Sequence, residues 1–189
     1  NDLIAGVKQH QADIGLALDG DGDRLGVVTN RGEIIWPDRQ MMLYAIDVLS
    51  RNPGALIIYD IKSTAHLAKV IAEHKGQSLM WKTGHSIMKA KLEETGALLA
   101  GEMSGHIFFK ERWYGFDDAL YTAARLLEIV AKDTRDVSEL FTALPNSINT
   151  PELKLAIAED KKFAFMQAFQ AQVEFPGAKL SKIDGVRAE

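Results

Sequence analysis

Between residues 55 and 132 short apolar runs alternate with stretches of helical periodicity, and this alternation confines the chain to an α/β layer. Ala55-Leu56-Ile57-Ile58-Tyr59 is apolar at every position, as a strand covered on both faces must be. Ser63 or Thr64 then caps a helix running to about Lys75, Gly76 stops it, and Ser78-Leu79-Met80-Trp81 is the next strand. A helix is predicted over 86–95 with Gly96 closing it, then buried strands at 97–100 and 107–109, then a long helix over 119–132 capped by Asp117-Asp118. Strands separated by helices pair in a parallel or mixed sheet. Ligands meet such sheets at loops beyond the carboxyl ends of strands. The loops to inspect are therefore 19–24, 60–64, 82–86 and 101–106.

The flanks read as follows. Residues 1–12 are the tail of a helix and its connection, feeding a strand at 13–18. Leu25-Gly26-Val27-Val28-Thr29 is a second strand, and Asn30-Arg31-Gly32 turns it into Glu33-Ile34-Ile35-Trp36 as a hairpin. Pro37-Asp38 opens a helix with Asp38 as N-cap, ending near Arg51 before Pro53-Gly54. A short helix is predicted over 137–144, and Pro145-Asn146-Ser147 is linker-like. Beyond it the pattern changes. Leu153, Leu155 and Ile157 alternate like a half-buried strand, Asp160 caps a helix to about Val173, Pro176-Gly177 breaks it, and a strand pair follows. That segment reads as the start of a separate α+β domain.

The 189 residues carry a net charge of −4 with no basic run, which argues against nucleic acid as partner. There is no cysteine, so neither a disulfide framework nor a thiolate metal site can form, which fits a cytoplasmic protein. No apolar run reaches the ~18 residues of a membrane span. The chain begins with Asn1 rather than Met, and the expectation is a piece of a longer protein.

Asp19-Gly20-Asp21-Gly22-Asp23-Arg24 follows the first strand and places three carboxylates on alternate residues. At ~5 Å and an effective dielectric of ~20, each pair repels by roughly 3 kcal/mol, so convergence needs a cation. An oxygen-only set selects a hard ion, Mg²⁺ before Zn²⁺. A calcium EF-hand would need Gly at its sixth position and Glu at its twelfth, where Arg24 and Asn30 stand. Two other readings are a phosphatase with Asp19 as nucleophile and a plain acidic turn, but a turn has no use for three alternating acids.

Three further loops carry chemistry. Asp60-Ile61-Lys62-Ser63-Thr64 sets a lysine between a strand end and a helix N-terminus, where an anion is favoured. Trp81-Lys82-Thr83-Gly84-His85 repeats the arrangement with a histidine. Gly101-Glu102-Met103-Ser104-Gly105-His106 is no nucleophile elbow, because Glu102 stands where that motif needs glycine. On an extended segment Glu102 and Ser104 share a face and suit vicinal sugar hydroxyls, with His106 in register as an acid/base or phosphate contact. The aromatics Phe108, Phe109, Trp113, Tyr114 and Phe116 read as core and lid packing.

In this order and spacing, DGDGDR, DIKST, WKTGH and GEMSGH resemble the α-D-phosphohexomutases, and within them the bacterial phosphomannomutase/phosphoglucomutase group. The resemblance implies three-layer α/β/α domains with a mixed sheet and four domains around one cleft. It implies that residues 1–32 end the second domain with the metal loop, 33–148 are the third with the sugar loop, and 149–189 begin an α+β fourth. It implies an isomerase of carbohydrate metabolism, a phosphoprotein interconverting hexose 1- and 6-phosphates of glucose or mannose. The phosphoryl group passes through a phosphoserine and a bisphosphorylated sugar, with Mg²⁺ and a glucose 1,6-bisphosphate-type activator. By resemblance Asp19, Asp21 and Asp23 hold Mg²⁺ and Arg24 contacts the phosphoryl group. Lys62 and His85 line the reacting centre, Thr83, Gly84, Glu102 and Ser104 bind substrate, and His106 lies beside them. The family's phosphoserine loop and its fourth-domain phosphate loop are not in this sequence, so the chain is expected to be a fragment needing the remaining domains. The alternative is a metal- and sugar-phosphate-binding module without catalysis.

Overall fold

The computed structural model describes residues 2–150 and 152–189. It resolves into two compact units, one reaching Pro145 and one from Asn146 to Glu189.

The first unit opens with α1 (Asp2–His10), which leads into the antiparallel sheet β1 (Ile14–Leu18), β2 (Leu25–Thr29) and β3 (Ile34–Ile35). Leu18 pairs with Leu25 across the acidic loop, so the six residues between them form the connection of a β-hairpin. Then come α2 (Pro37–Arg51), β4 (Leu56–Asp60), α3 (Ala65–Glu73), β5 (Gln77–Trp81), α4 (His85–Thr95), β6 (Leu99–Gly101), β7 (Ile107–Phe109), α5 (Ala119–Lys132) and α6 (Val137–Thr142). Four of the strands form a second sheet in the order β5-β4-β6-β7. β4 is parallel to both β5 and β6, and β7 is antiparallel to β6.

The period of two along these strands builds the layers. Ile57, Tyr59, Leu99, Ile107 and Phe109 face one core with Met41, Tyr44, Leu67, Val70 and Leu126 of α2, α3 and α5. Their neighbours Ile58, Ala100 and Phe108 face the other, against Met88 and Leu92 of α4. The result is the α/β layer with a mixed sheet that the alternation predicts, in the three-layer α/β/α form that the resemblance implies. Two features fix its detail. A Cβ on Gly101 would lie 2.4 Å from Met41 Sδ, so α2 reaches the end of β6 only because that residue has no side chain. The guanidinium of Arg125, 3% exposed, joins Asp47 of α2 at 2.8 Å and the Glu111 carboxylate at 2.8 Å, anchoring α5.

Several local readings are corrected. Asp38 does not cap α2: Pro37 starts that helix with Trp36 as N-cap, so Asp38 already lies in the first turn. Its buried carboxylate instead accepts the Thr64 amide at 3.0 Å, at the start of α3. Thr64 is the N-cap of α3, and the helix stops at Glu73, before Lys75 turns left-handed at φ 64°. α4 begins at His85, one residue early, behind Gly84 at φ 132°. β6 lies two residues later than predicted at its start, after the left-handed Gly96. Asp118 alone caps α5, accepting the Tyr121 amide.

In the second unit the strand expected at 153–157 does not form. Leu153 and Leu155 are each 83% exposed, and no described strand pairs with them; alternation cannot hold a strand without a partner. Helix α7 (Lys162–Gln172) has Lys161 as N-cap with no side-chain cap, so Asp160 does not serve. The predicted strand pair is present as β8 (Leu180–Ser181) with β9 (Arg187–Ala188). Among the described residues no helix is long and apolar enough to cross a membrane.

Candidate functional site

The site is assembled at one end of the first unit, where the acidic loop meets the loops beyond β4, β5 and β6. Asp19 organises the acidic loop. Its Oδ1 accepts the amides of Asp23 at 3.2 Å and Arg24 at 3.1 Å, and its Oδ2 accepts the Arg24 guanidinium. Partial desolvation would raise its pKa, but the amide and guanidinium of Arg24 and the Asp23 amide outweigh this and hold it at about 2. Asp19, Asp21 and Asp23 each bring one oxygen within 4.8 Å of the others. Asp23 Oδ1 is buried with no hydrogen-bond partner. Three convergent carboxylate oxygens fit a hard divalent cation, although Arg24 Nε also lies 3.6 Å from Asp23 Oδ1.

The loop after β6 is a turn rather than the extended segment read from its sequence. The Gly105 amide bonds to the Glu102 carbonyl at 3.1 Å, with Gly105 at φ 108°. Glu102 is therefore buried at 1% exposure while Ser104 is exposed. His106 still joins them: Ser104 Oγ lies 2.8 Å from its Nδ1, and Glu102 Oε2 lies 3.4 Å from the same nitrogen. Burial raises the Glu102 pKa, an effect the Gly84 amide and His106 partly offset.

The two loops converge. Arg24 and His106 form an isolated antiparallel bridge, and His106 Nε2 lies 3.3 Å from Asp23 Oδ2. His85, first residue of α4, stacks on His106 with ring centroids 5.6 Å apart. A cavity of about 410 Å³ adjoins the junction, lined by Asp19, Arg24, Ile34, Trp36, Met103 and Ser104 among others. Thr83 bonds to Asp60 at 3.4 Å, and the Gly84 amide donates to Glu102. Lys62 is exposed just past β4.

Two residues escaped the sequence reading. Asp60, fully buried, accepts Ser63 N–H at 3.1 Å, Ser63 O–H at 2.7 Å, Thr83 O–H and the Met103 amide. It ties together the loops after β4, β5 and β6, and burial raises its pKa despite these donors. The signal was an acid closing a strand with serine three residues on, an Asx-turn pattern. Asp117, read as a helix cap, instead faces Lys89 Nζ at 3.1 Å and His85 Nδ1 at 3.7 Å. These contacts span 28 and 32 positions, and nothing local signals them.

A family model described as phosphoglucomutase/phosphomannomutase, α/β/α domain III, matches residues 36–148. The phosphomannomutase/phosphoglucomutase of Pseudomonas aeruginosa is 57% identical over 188 residues, covering 100% of this chain and 41% of that protein. The phosphoglucomutase of Neisseria meningitidis serogroup A is 57% identical over 190 residues, with the same coverage. The crystal structure of a phosphoglucomutase/phosphomannomutase family protein from Burkholderia thailandensis superposes with a TM-score of 0.93 at 58% identity, covering all of this chain and 40% of that one. The chain thus spans about two fifths of the length of these relatives. It belongs to the phosphoglucomutase/phosphomannomutase family, with residues 36–148 as the α/β/α domain III.

Proposed function

We propose that the chain is the metal- and sugar-binding part of a cytoplasmic phosphohexomutase that interconverts the 1- and 6-phosphates of glucose or mannose. The observation that carries this reading is the junction of the two loops, where Asp23 of the acidic loop meets His106 of the sugar loop at 3.3 Å. A phosphoryl group at the first is thereby within reach of a hexose oriented by the second. In this reading residues 1–32 close a second domain, 33–148 are the third and 149–189 begin the fourth. The serine that carries the phosphoryl group belongs to a domain outside this chain, and a bisphosphorylated hexose is both intermediate and activator.

Asp19, Asp21 and Asp23 hold Mg²⁺, which when bound neutralises charge on the transferring phosphoryl group. Arg24, braced by Asp19, contacts that group with a preorganised guanidinium. Lys62 and His85 line the reacting centre. Glu102 and Ser104 orient the sugar hydroxyls, with Thr83 and Gly84 alongside. His106 stands where a proton can be held, its Nδ1 on Ser104 and its Nε2 toward Asp23.

The test is to incubate the full-length protein with Mg²⁺, glucose 1-phosphate and a catalytic amount of glucose 1,6-bisphosphate while following glucose 6-phosphate, and to repeat it with mannose 1-phosphate. The full-length protein turns over, whereas the 189-residue chain alone does not, for want of the serine carrier. An inert full-length protein on both sugars, or turnover by the isolated chain, overturns the reading.

A further inference from the structure

Asp117 has no role in the scheme above, yet its carboxylate is one of the most constrained groups at the site. Its backbone forms an antiparallel bridge with Phe108 of β7, and the residue after it caps α5. The next amide, that of Ala119, donates to the Gly22 carbonyl of the acidic loop at 3.0 Å. The side chain is 8% exposed, and its two oxygens diverge: Oδ1 takes Lys89 Nζ at 3.1 Å, and Oδ2 faces His85 Nδ1 at 3.7 Å. His85 and Lys89 are four residues apart on α4 and share one helix face, so both reach the same carboxylate.

We propose that Asp117 is a positioning residue that holds the His85 imidazole with Nδ1–H turned toward it and Nε2 presented to the bound substrate. The proposal rests on the phosphohexomutase reading for its functional consequence. The His85 side chain is 54% exposed, so a neighbour must choose among its rotamers. Two neighbours do so: the His106 ring stacked on one face and the Asp117 carboxylate on the Nδ1 edge. At 3.7 Å the contact is electrostatic rather than a hydrogen bond, and the negative carboxylate favours the tautomer that turns Nδ1–H toward it and leaves the Nε2 lone pair free. Lys89 occupies only one of the two carboxylate oxygens and leaves the other to His85. Were the role only to tie α4 to α5, the Lys89 contact would suffice, and the second oxygen would need no histidine.

The experiment reads the tautomer directly. The five histidines are ¹⁵N-labelled in the 189-residue chain, and their ring nitrogen shifts are recorded under alkaline conditions where imidazoles are neutral. His85→Gln assigns the His85 signals. The wild-type chain shows His85 protonated on Nδ1. Asp117→Asn, which can turn an amide N–H toward that nitrogen, moves His85 to the Nε2-protonated form and leaves His10, His66 and His74 unchanged. Lys89→Met, which keeps the carboxylate, keeps the Nδ1-protonated form. In the full-length protein Asp117→Asn lowers kcat by about 10- to 100-fold with KM moved less than about threefold. A tautomer unmoved by Asp117→Asn overturns the proposal. If that variant does not fold, Nε2-protonated His85 in Lys89→Met overturns it instead. Absence of mutase activity in the wild-type full-length protein defeats the functional reading alone, because the tautomer is measured without turnover.

Discussion

The acidic loop and the proposed sugar loop meet through a backbone bridge and a side-chain contact at His106, yet they are built in opposite ways. The acidic loop stands in the open: Asp21 is exposed, and a Cβ on Gly20 or Gly22 would touch nothing within 4 Å. Much of its order comes from its own residues, Asp19 gathering two amides and a guanidinium. The sugar loop is held from beneath, by Glu102 at 1% exposure and by Asp60 bonded to three strand-end loops. Under the proposed function the difference follows from the ligands the two loops would serve. A hard cation is loaded from water by charges that stay hydrated until it arrives. Hydrogen bonds to neutral hydroxyls discriminate only when the protein's own acceptor is desolvated and fixed. One loop spends repulsion, the other burial, to the same end of a defined geometry.

If that contrast holds, removing charge from each loop has opposite consequences. The largest effect belongs to Asp23→Asn in the full-length protein. It lowers kcat on the order of a hundredfold or more, because a metal-held phosphoryl group loses several kcal/mol of charge stabilisation. The unfolding free energy of the chain itself stays within about 0.5 kcal/mol of wild type, as for a half-exposed position. Marked unfolding by this variant would break the comparison by making the acidic loop structural.

A second effect tests the other side. Asp60→Ala strands the buried donors of Ser63 and Met103, and urea unfolding should show a loss of about 2–3 kcal/mol. The smallest effect sharpens the contrast. Glu102→Gln removes a buried charge of raised pKa while keeping an acceptor for the Gly84 amide, so the chain is stabilised by about 0.5–1 kcal/mol even as hexose phosphate affinity falls. The sign is set by linkage: a carboxylate with a raised native pKa destabilises the fold once ionised. Stability therefore declines as pH rises through the ionisation of Asp60 and Glu102, above the ordinary carboxylate range. A shallower decline in Glu102→Gln than in wild type, with the Asp60 part retained, is the pattern to look for.

What the sequence made legible was whatever a short window contains. Apolar runs named β4 and β7 and the two faces of the sheet, because a strand buried on both sides leaves no polar position. Three acids within five residues announced their own convergence. The failures lie where a distant partner decides. Asp38 looked like a cap for its own helix, but Pro37 had already fixed the first turn and freed the carboxylate for Thr64, 26 residues on. Residues 153–157 had the alternation of a strand and no strand to pair with. Asp117 and Asp118 were indistinguishable as neighbours, and only the fold assigns one to a helix end and the other to a histidine. The turn at 102–105 hid in a stretch read as extended, although Gly105 supplied the positive φ that makes it.

The contact between Gly101 and Met41 makes the core and the site one mechanical object. Adding one methyl group at Gly101 would press on Met41 at the middle of the layer, and the nearest relief is to lift the strand end that launches Glu102. Because interiors this dense transmit strain, a displacement of α2 would be felt in the loop above. Helix α2 thus acts as a depth gauge for the loop after β6. Under the proposed function, variation in its packing would change how a hexose is held without altering any residue that touches it.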